Sequence, residues 1–210
     1  MRILNYSALL FAFLLAGCGD PAPGKVERSP EKSVRKNISA TAPLEAALQG
    51  RTKNLQQASI NNLKQIGVAI MMFAMDNRER FPESLKDLVS KSYLTDCRCY
   101  ISPFDKKSVA GSAADFDPVK NCSYAYFGMG VVAGNFGSGV PIAIEKPWCL
   151  PENSNSIAVL YADGSAKIVQ IPNVNKKSCL EVVEIILKGT QKGSAGESIL
   201  KNAGTADSLR

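Results

Sequence analysis

The chain has 210 residues, of which 45% are hydrophobic and 21% charged, with a net charge of +6 and no histidine. This composition supplies enough apolar side chains for one packed domain, and it excludes a wholly disordered chain. The absence of histidine excludes a Ser-His-Asp or Cys-His catalytic site and the usual zinc enzymes.

The first residues predict a secretory signal. Arg2 precedes a mostly apolar stretch from residue 3 to residue 15, which is too short to span a membrane. Leu15-Ala16-Gly17-Cys18 ends this stretch and resembles the lipobox of bacterial lipoproteins. The resemblance implies removal of residues 1–17, a diacylglycerol on the Cys18 sulfur, and a further acyl chain such as palmitate on the new amino group. Two or more acyl chains anchor a protein stably to a lipid bilayer.

The residues after Cys18 bear on the choice of membrane. Gly19 is the second residue of the predicted mature chain, and Asp20 is the third. In enteric lipoproteins, an aspartate at the second position retains the protein in the inner membrane. That analogy favours the outer membrane over the inner one, with the domain facing the periplasm or the cell surface. The mild basic excess contains no dense basic run, so we expect no nucleic-acid partner.

Hydrophobic periodicity predicts two helices after a tether. Residues 18–41 are rich in proline, glycine and charged residues, which predicts a flexible lipidated tether. A long helix is predicted over residues 44–77, because apolar residues recur there on one face: Leu63, Ile66, Ile70 and Phe73. Residues 66–75 are apolar on every face, so we expect protein to enclose them. A second helix is predicted to begin near Pro82 and to end near residue 94.

Short strands are predicted next, at residues 123–127, 141–145, 157–162 and 165–171. The last two flank Asp163-Gly164, which predicts a two-residue hairpin turn because glycine accepts a positive φ. Ser178 and Glu181 form a capping box, which predicts a helix that ends at Gly189.

The predicted elements define one domain of the α+β class. Residues 190–210 are rich in Gly, Ser, Ala and Lys, and they predict a flexible tail. Residues 42–189 then form the domain. It should contain a long N-terminal helix packed on a small antiparallel sheet, with one C-terminal helix.

Three strings in the first half of this domain carry a family resemblance: residues 62–69 (NLKQIGVA), 73–77 (FAMDN) and 81–85 (FPESL). They are similar to the helix that follows the membrane segment in type II secretion pseudopilins and type IV pilin-like proteins. They are more similar still to prepilin-like proteins that carry a His-x9-Asp-Gly signature. Tyr161-Ala162-Asp163-Gly164 resembles the end of that signature. The resemblance implies a pilin-like α+β fold. Asn153 occupies the position of the signature histidine, and a lipobox replaces the prepilin cleavage site and membrane helix, so we expect no filament subunit.

Five cysteines remain in the exported domain: Cys97, Cys99, Cys122, Cys149 and Cys179. An oxidising compartment favours disulfides, and an odd number leaves at least one thiol. We predict that Cys97 or Cys99 pairs with Cys122 and that Cys149 pairs with Cys179, although sequence does not fix the connectivity. The alternative, a thiolate metal or redox site, is less favoured because Cys-x-Cys differs from the redox Cys-x-x-Cys.

No catalytic, metal or cofactor site is predicted. Asp115 and Asp117 lie near Asp105, and major pseudopilins bind calcium in a loop, but this spacing matches no calcium loop and indicates solvated acids. The turn accounts for Asp163. We therefore expect a non-catalytic envelope lipoprotein with a binding or scaffolding role, linked to a type II secretion or pilus-like system. The alternatives are a carboxylate- or metal-dependent envelope enzyme, and a secreted pseudopilin-type subunit with an unlipidated Cys18.

Overall fold

The computed structural model describes residues 41–135, 139–188 and 194–209. The predicted signal, Cys18 and all but the last residue of the predicted tether lie outside the described residues. In the part that is described, no helix is long and apolar enough to cross a membrane.

The first helix, α1, spans Thr41–Asp76 and passes through Gly50 without interruption. It begins three residues earlier than predicted. At its end, the Asn77 side-chain amide donates to the Phe73 carbonyl oxygen. Arg78 and Glu79 then adopt left-handed φ angles of 58° and 62°, which turn the chain back on itself.

The sheet has four antiparallel strands in chain order: β1 (Tyr124–Tyr126), β2 (Pro141–Glu145), β3 (Ser156–Tyr161) and β4 (Ala166–Gln170). Each strand falls within or next to a predicted one. α1 packs on β3 and β4, while α3 (Cys179–Leu187) packs against β2. Every residue of β2 is buried, and because successive side chains of a strand point to opposite faces, both faces of the sheet are covered at β2.

Residues 194–208 form a helix, so the prediction of a flexible tail is wrong for this part of residues 190–210. Helix α4 spans Ser194–Ser208, and its Ile199 and Ala203 are fully buried. The Asn202 amide donates to the carbonyl oxygens of Phe127 (2.8 Å) and Met129 (3.0 Å). The domain therefore extends through α4 rather than ending at residue 189.

Two helix predictions need correction. Helix α2 spans only Leu85–Ser90, because Ser84 forms a capping box with Asp87 and fixes its start. The apolar run at residues 66–75 is not enclosed, because α1 rests on the sheet with one side only. Its outer side exposes Val68 (59%), Met72 (50%) and Met75 (81%). The α+β class, with a long helix on an antiparallel sheet, is confirmed.

Candidate functional site

The hairpin residues Asp163 and Gly164 lie in the loop between β3 and β4. The Tyr161 amide donates to the Ser165 carbonyl oxygen, so the loop is residues 162–164, one residue longer than predicted. Gly164 has a φ of 78°, as the left-handed position of such a loop requires. The Asp163 carboxylate accepts the Ser165 amide at 2.9 Å, and hydrogen bonds from Ser165 lower its pKa. Its contacts are those of a turn residue.

All five cysteines of the domain are free thiols in the structure, which contradicts the predicted disulfides. The five are Cys97, Cys99, Cys122, Cys149 and Cys179; four are buried, and Cys149 is half-buried. A free cysteine can pack in a core as a small apolar side chain, so the burial of these thiols does not require them to form bridges. Cysteine count and export favoured bridges, but neither property specifies which thiols meet.

The thiols are also held protonated. Burial raises the pKa of Cys122 to about 11, and burial with the Asp105 carboxylate nearby raises that of Cys149 to about 12. Cys179 begins α3, where a helix N-terminus would favour the thiolate. Burial and the Asp207 carboxylate instead raise its pKa. These groups are poor nucleophiles at neutral pH.

The most unusual ionisable group is Glu145, which sequence reasoning did not single out. It ends β2 and is 1% exposed. Its Oε1 accepts the hydroxyls of Ser59 (2.5 Å) and Ser102 (2.6 Å), and its Oε2 accepts the Ala158 amide (2.9 Å). Burial raises its pKa, although these three hydrogen bonds oppose the shift. The carboxyl joins α1, the loop after Tyr100 and two strands.

The Glu145 cluster resembles a catalytic set of a carboxylate and two serines, but it has no access to solvent. Ser59, Ser102 and Glu145 are each at most 1% exposed. The Tyr124 hydroxyl lies 3.2 Å from Ser59 Oγ and extends the network. Alternation along β2 would have placed a solvated glutamate at this end. The only sign of this cluster in the sequence is a glutamate at the end of an otherwise apolar strand. Whether that glutamate is buried depends on the packing of α1 over it.

An accessible cleft of about 390 Å³ lies at the β1 edge of the sheet. Its walls come from the start of α2, the strand β1, the loop before β1, and α4. The side chains include apolar, aromatic and polar groups: Glu83, Ser84, Leu85, Pro118, Val119, Tyr124, Ala125, Tyr126, Met129, Lys146, Trp148, Asn202, Thr205, Ala206 and Leu209. A volume of several hundred Å³ with a mainly apolar lining is typical of ligand-binding sites.

Two features shape the cleft. The Lys146 ammonium donates to three carbonyl oxygens, those of Pro118, Val119 and Cys122, and so holds the loop that forms one wall. The main-chain N–H and C=O of Tyr126 face away from β2. This follows from the register, because Phe127 donates to Ile142 and alternate residues of an edge strand face outward. Sequence reasoning missed the cleft because α4 supplies one of its walls.

The loop acids do not assemble into a cation site. Asp105 accepts the hydroxyl of Ser123 and the amides of Lys107 and Ser108. Burial opposes the shift, but hydrogen bonds from Ser108 and these other donors lower its pKa. Asp115 is exposed and accepts the Ser112 hydroxyl, while Asp117 pairs with Lys120. Among the described residues, no group of three or more His, Cys, Asp or Glu is placed to hold a metal ion.

Comparison with protein-family models, curated proteins and solved structures finds no match to this chain.

Proposed function

We propose that this protein is a lipid-anchored lipoprotein of a bacterial envelope, whose domain binds or scaffolds other proteins without catalysing a reaction. The observation that carries the binding role is the cleft beside β1. It combines an apolar lining with the outward main-chain N–H and C=O of Tyr126. An extended peptide can use such a strand edge together with a pocket for one side chain.

The non-catalytic part of the proposal is supported by where the reactive groups lie. Glu145 is only 1% exposed, Asp163 holds a turn, and burial raises the thiol pKa values. The link to a pilin-like or secretion system is supported by the strings at residues 62–69 and 81–85. The helix-on-sheet architecture that they imply agrees with the structure.

The anchor is tested by growing cells with radiolabelled palmitate. We expect label on the wild-type protein and none on the Cys18→Ser variant. An unlabelled wild-type protein would contradict the anchor and would favour a secreted form.

The cleft is tested by a photo-crosslinking amino acid at Val119, which lines the cleft and is 49% exposed. We expect a discrete adduct in intact cells that is lost when Ala206→Trp fills the cleft. The matched control is Val109→Trp, at an exposed position that does not line the cleft. An adduct that survives Ala206→Trp, or is lost equally with both variants, would contradict a partner in the cleft.

A further inference from the structure

The start of α1 projects from the domain. Residues 42–54 are all exposed, and the first hydrogen bond from α1 to the sheet is made by Gln56, whose amide donates to Ser156 Oγ at 2.8 Å. At 1.5 Å per residue, these thirteen residues extend about 20 Å. They are called the projecting segment below.

The projecting segment carries an exposed apolar stripe. Leu44 and Leu48 are 62% and 55% exposed, and they lie one turn apart on the face that continues through Leu55. Eleven and eighteen residues beyond Leu55, the same face reaches Ile66 and Phe73, which are buried against the domain. The apolar face of α1 is therefore longer than the surface that the described part of the domain offers it.

The sequence that leads into and through this stripe is rich in basic residues. Residues 32–53 contain five basic residues (Lys32, Arg35, Lys36, Arg51 and Lys53) and one acidic residue, Glu45. Residues 54–210 are nearly balanced, with 17 basic and 15 acidic residues. Residues 32–53 therefore carry a net charge of +4 (five basic minus one acidic), whereas the 157 residues that follow carry +2 (17 minus 15).

The chain before α1 limits how far this segment lies from a membrane. Twenty-two residues separate Cys18 from Thr41, and a flexible chain of that length spans about 25 Å. A bilayer that holds Cys18 is therefore within reach of Leu44 and Leu48. Arg51 lies on the same face as the leucines, and an arginine can lay its stem along apolar surface while its guanidinium reaches a phosphate.

We propose that the projecting segment binds the surface of a bilayer that contains anionic lipid. Leu44 and Leu48 enter the boundary between head groups and acyl chains, and Arg51 and Lys53 contact lipid phosphates. The acyl chains at Cys18 would tether the protein, and this second contact would fix the height and tilt of the domain above the membrane. The inference rests on the proposed anchor for its location, but the affinity belongs to the segment itself and is measured without any lipid on Cys18.

The test uses the mature chain from residue 18 with Cys18→Ser, so that no acyl chain is present. Co-sedimentation is measured with vesicles of phosphatidylglycerol and phosphatidylethanolamine, and with vesicles of phosphatidylcholine alone. We expect binding to the anionic vesicles that falls at high salt. We expect the Arg51→Glu, Lys53→Glu double variant to lose more than about tenfold in affinity.

The apolar stripe is tested by a matched pair of double variants on the same helix. Leu44→Gln with Leu48→Gln should abolish sedimentation with vesicles. Val68→Gln with Met72→Gln changes side chains that are equally exposed but lie on the body of the domain, and binding should be retained. Far-UV circular dichroism checks that both variants fold.

Equal behaviour of the two pairs, or no binding of the parent chain to anionic vesicles, would overturn the proposal. So would a concentration-dependent dimer in sedimentation equilibrium that the Leu44→Gln, Leu48→Gln variant abolishes while vesicle binding is unchanged, since a second copy would then cover the stripe. Palmitate labelling is read separately, so failure of the anchor and failure of this surface contact give different results.

Discussion

Glu145 shows how one side chain can organise several elements. Its carboxylate receives two serine hydroxyls and one main-chain amide from three separate parts of the chain. A buried carboxyl is tolerated only when its oxygens are satisfied. The cluster therefore helps to specify the position of α1 on the sheet. The sequence of β2 alone did not predict this role for Glu145.

Replacement of this carboxyl should be costly. In Glu145→Leu, the Ser59 and Ser102 hydroxyls and the Ala158 amide lose their acceptor inside the core. We expect the free energy of unfolding to fall by about 3 kcal/mol, measured by urea titration. Glu152→Leu, at an exposed loop position, is the control and should change stability little. A small effect of Glu145→Leu would contradict the structural role.

The five free thiols of the domain lead to a second prediction at the residue scale. In the native Cys18→Ser chain purified without reductant, iodoacetamide should react slowly, and Cys149 should react first because it is the most accessible. The high pKa values keep the thiols protonated. In denaturant, mass spectrometry should find all five alkylated. Any pair that resists alkylation until a reductant is added would restore the disulfide prediction.

At the scale of elements, α1 contains two glycines in opposite surroundings. A Cβ on Gly67 would lie 2.8 Å from Leu160 Cδ1 and 3.3 Å from the Gly164 carbonyl oxygen, where the helix crosses the β3–β4 hairpin. Gly50 lies in the projecting segment, and a Cβ there would have nothing within 4 Å. The close approach of the hairpin therefore explains why position 67 is a glycine. At Gly50 the structure shows no neighbouring atom that would require one.

Alanine substitution should separate the two glycines. Gly67→Ala should destabilise the protein by about 1–3 kcal/mol because the methyl group overpacks the hairpin, and its Tm should fall. Gly50→Ala should leave the Tm near that of the wild type and should increase helicity in far-UV circular dichroism, since alanine favours a helix by up to about 1 kcal/mol. A stabilising Gly67→Ala would contradict the observed crossing.

Helix α4 is a second element whose role can be measured. Deletion of residues 190–210 removes buried Ile199 and Ala203, and it also removes Asp207, whose carboxylate accepts the amides of Cys179 and Leu180 at the start of α3. We expect a Tm loss of about 6–12 °C, because burial and capping together contribute about 3 kcal/mol. Removal of residues 209 and 210 alone is the control. A flexible tail would make both deletions neutral.

At the scale of the whole molecule, ionisation of Glu145 should shape the dependence of stability on pH. Its raised pKa means that the folded state binds this proton more tightly than the unfolded state does. Stability from this group is therefore greatest below the ordinary glutamate pKa, about 4.3, and declines as pH rises through the higher folded value.

A neutral variant isolates that contribution. Glu145→Gln cannot ionise, so the difference in unfolding free energy between wild type and variant should shift against the wild type as pH increases from about 4 to about 8. Urea unfolding across this pH range measures the difference. The contributions of the other ionisable groups to the pH dependence are the same in both proteins and largely cancel. Parallel curves would contradict the expected titration.

The sequence by itself determined the class of the domain and the location of its strands. Residues 141–145 and 157–162 have β-propensity and short length, while Ser178 and Glu181 are a local capping pair, so these signals do not depend on distant residues. The local pattern also placed the Asp163-Gly164 loop. The lipobox-like residues around Cys18 remain a prediction outside the described part of the chain.

Only the tertiary structure decided which surfaces are covered. The composition of residues 190–210 predicted a flexible tail. In the structure, Ile199 and Ala203, which lie one turn apart, are buried against the domain, and the surrounding residues form α4. The burial of Glu145, the exposure of Met72 and the protonated thiols likewise depend on what packs opposite. Periodicity states which residues share a face of a helix or strand, but the free energy of burying that face depends on a partner that is distant in sequence.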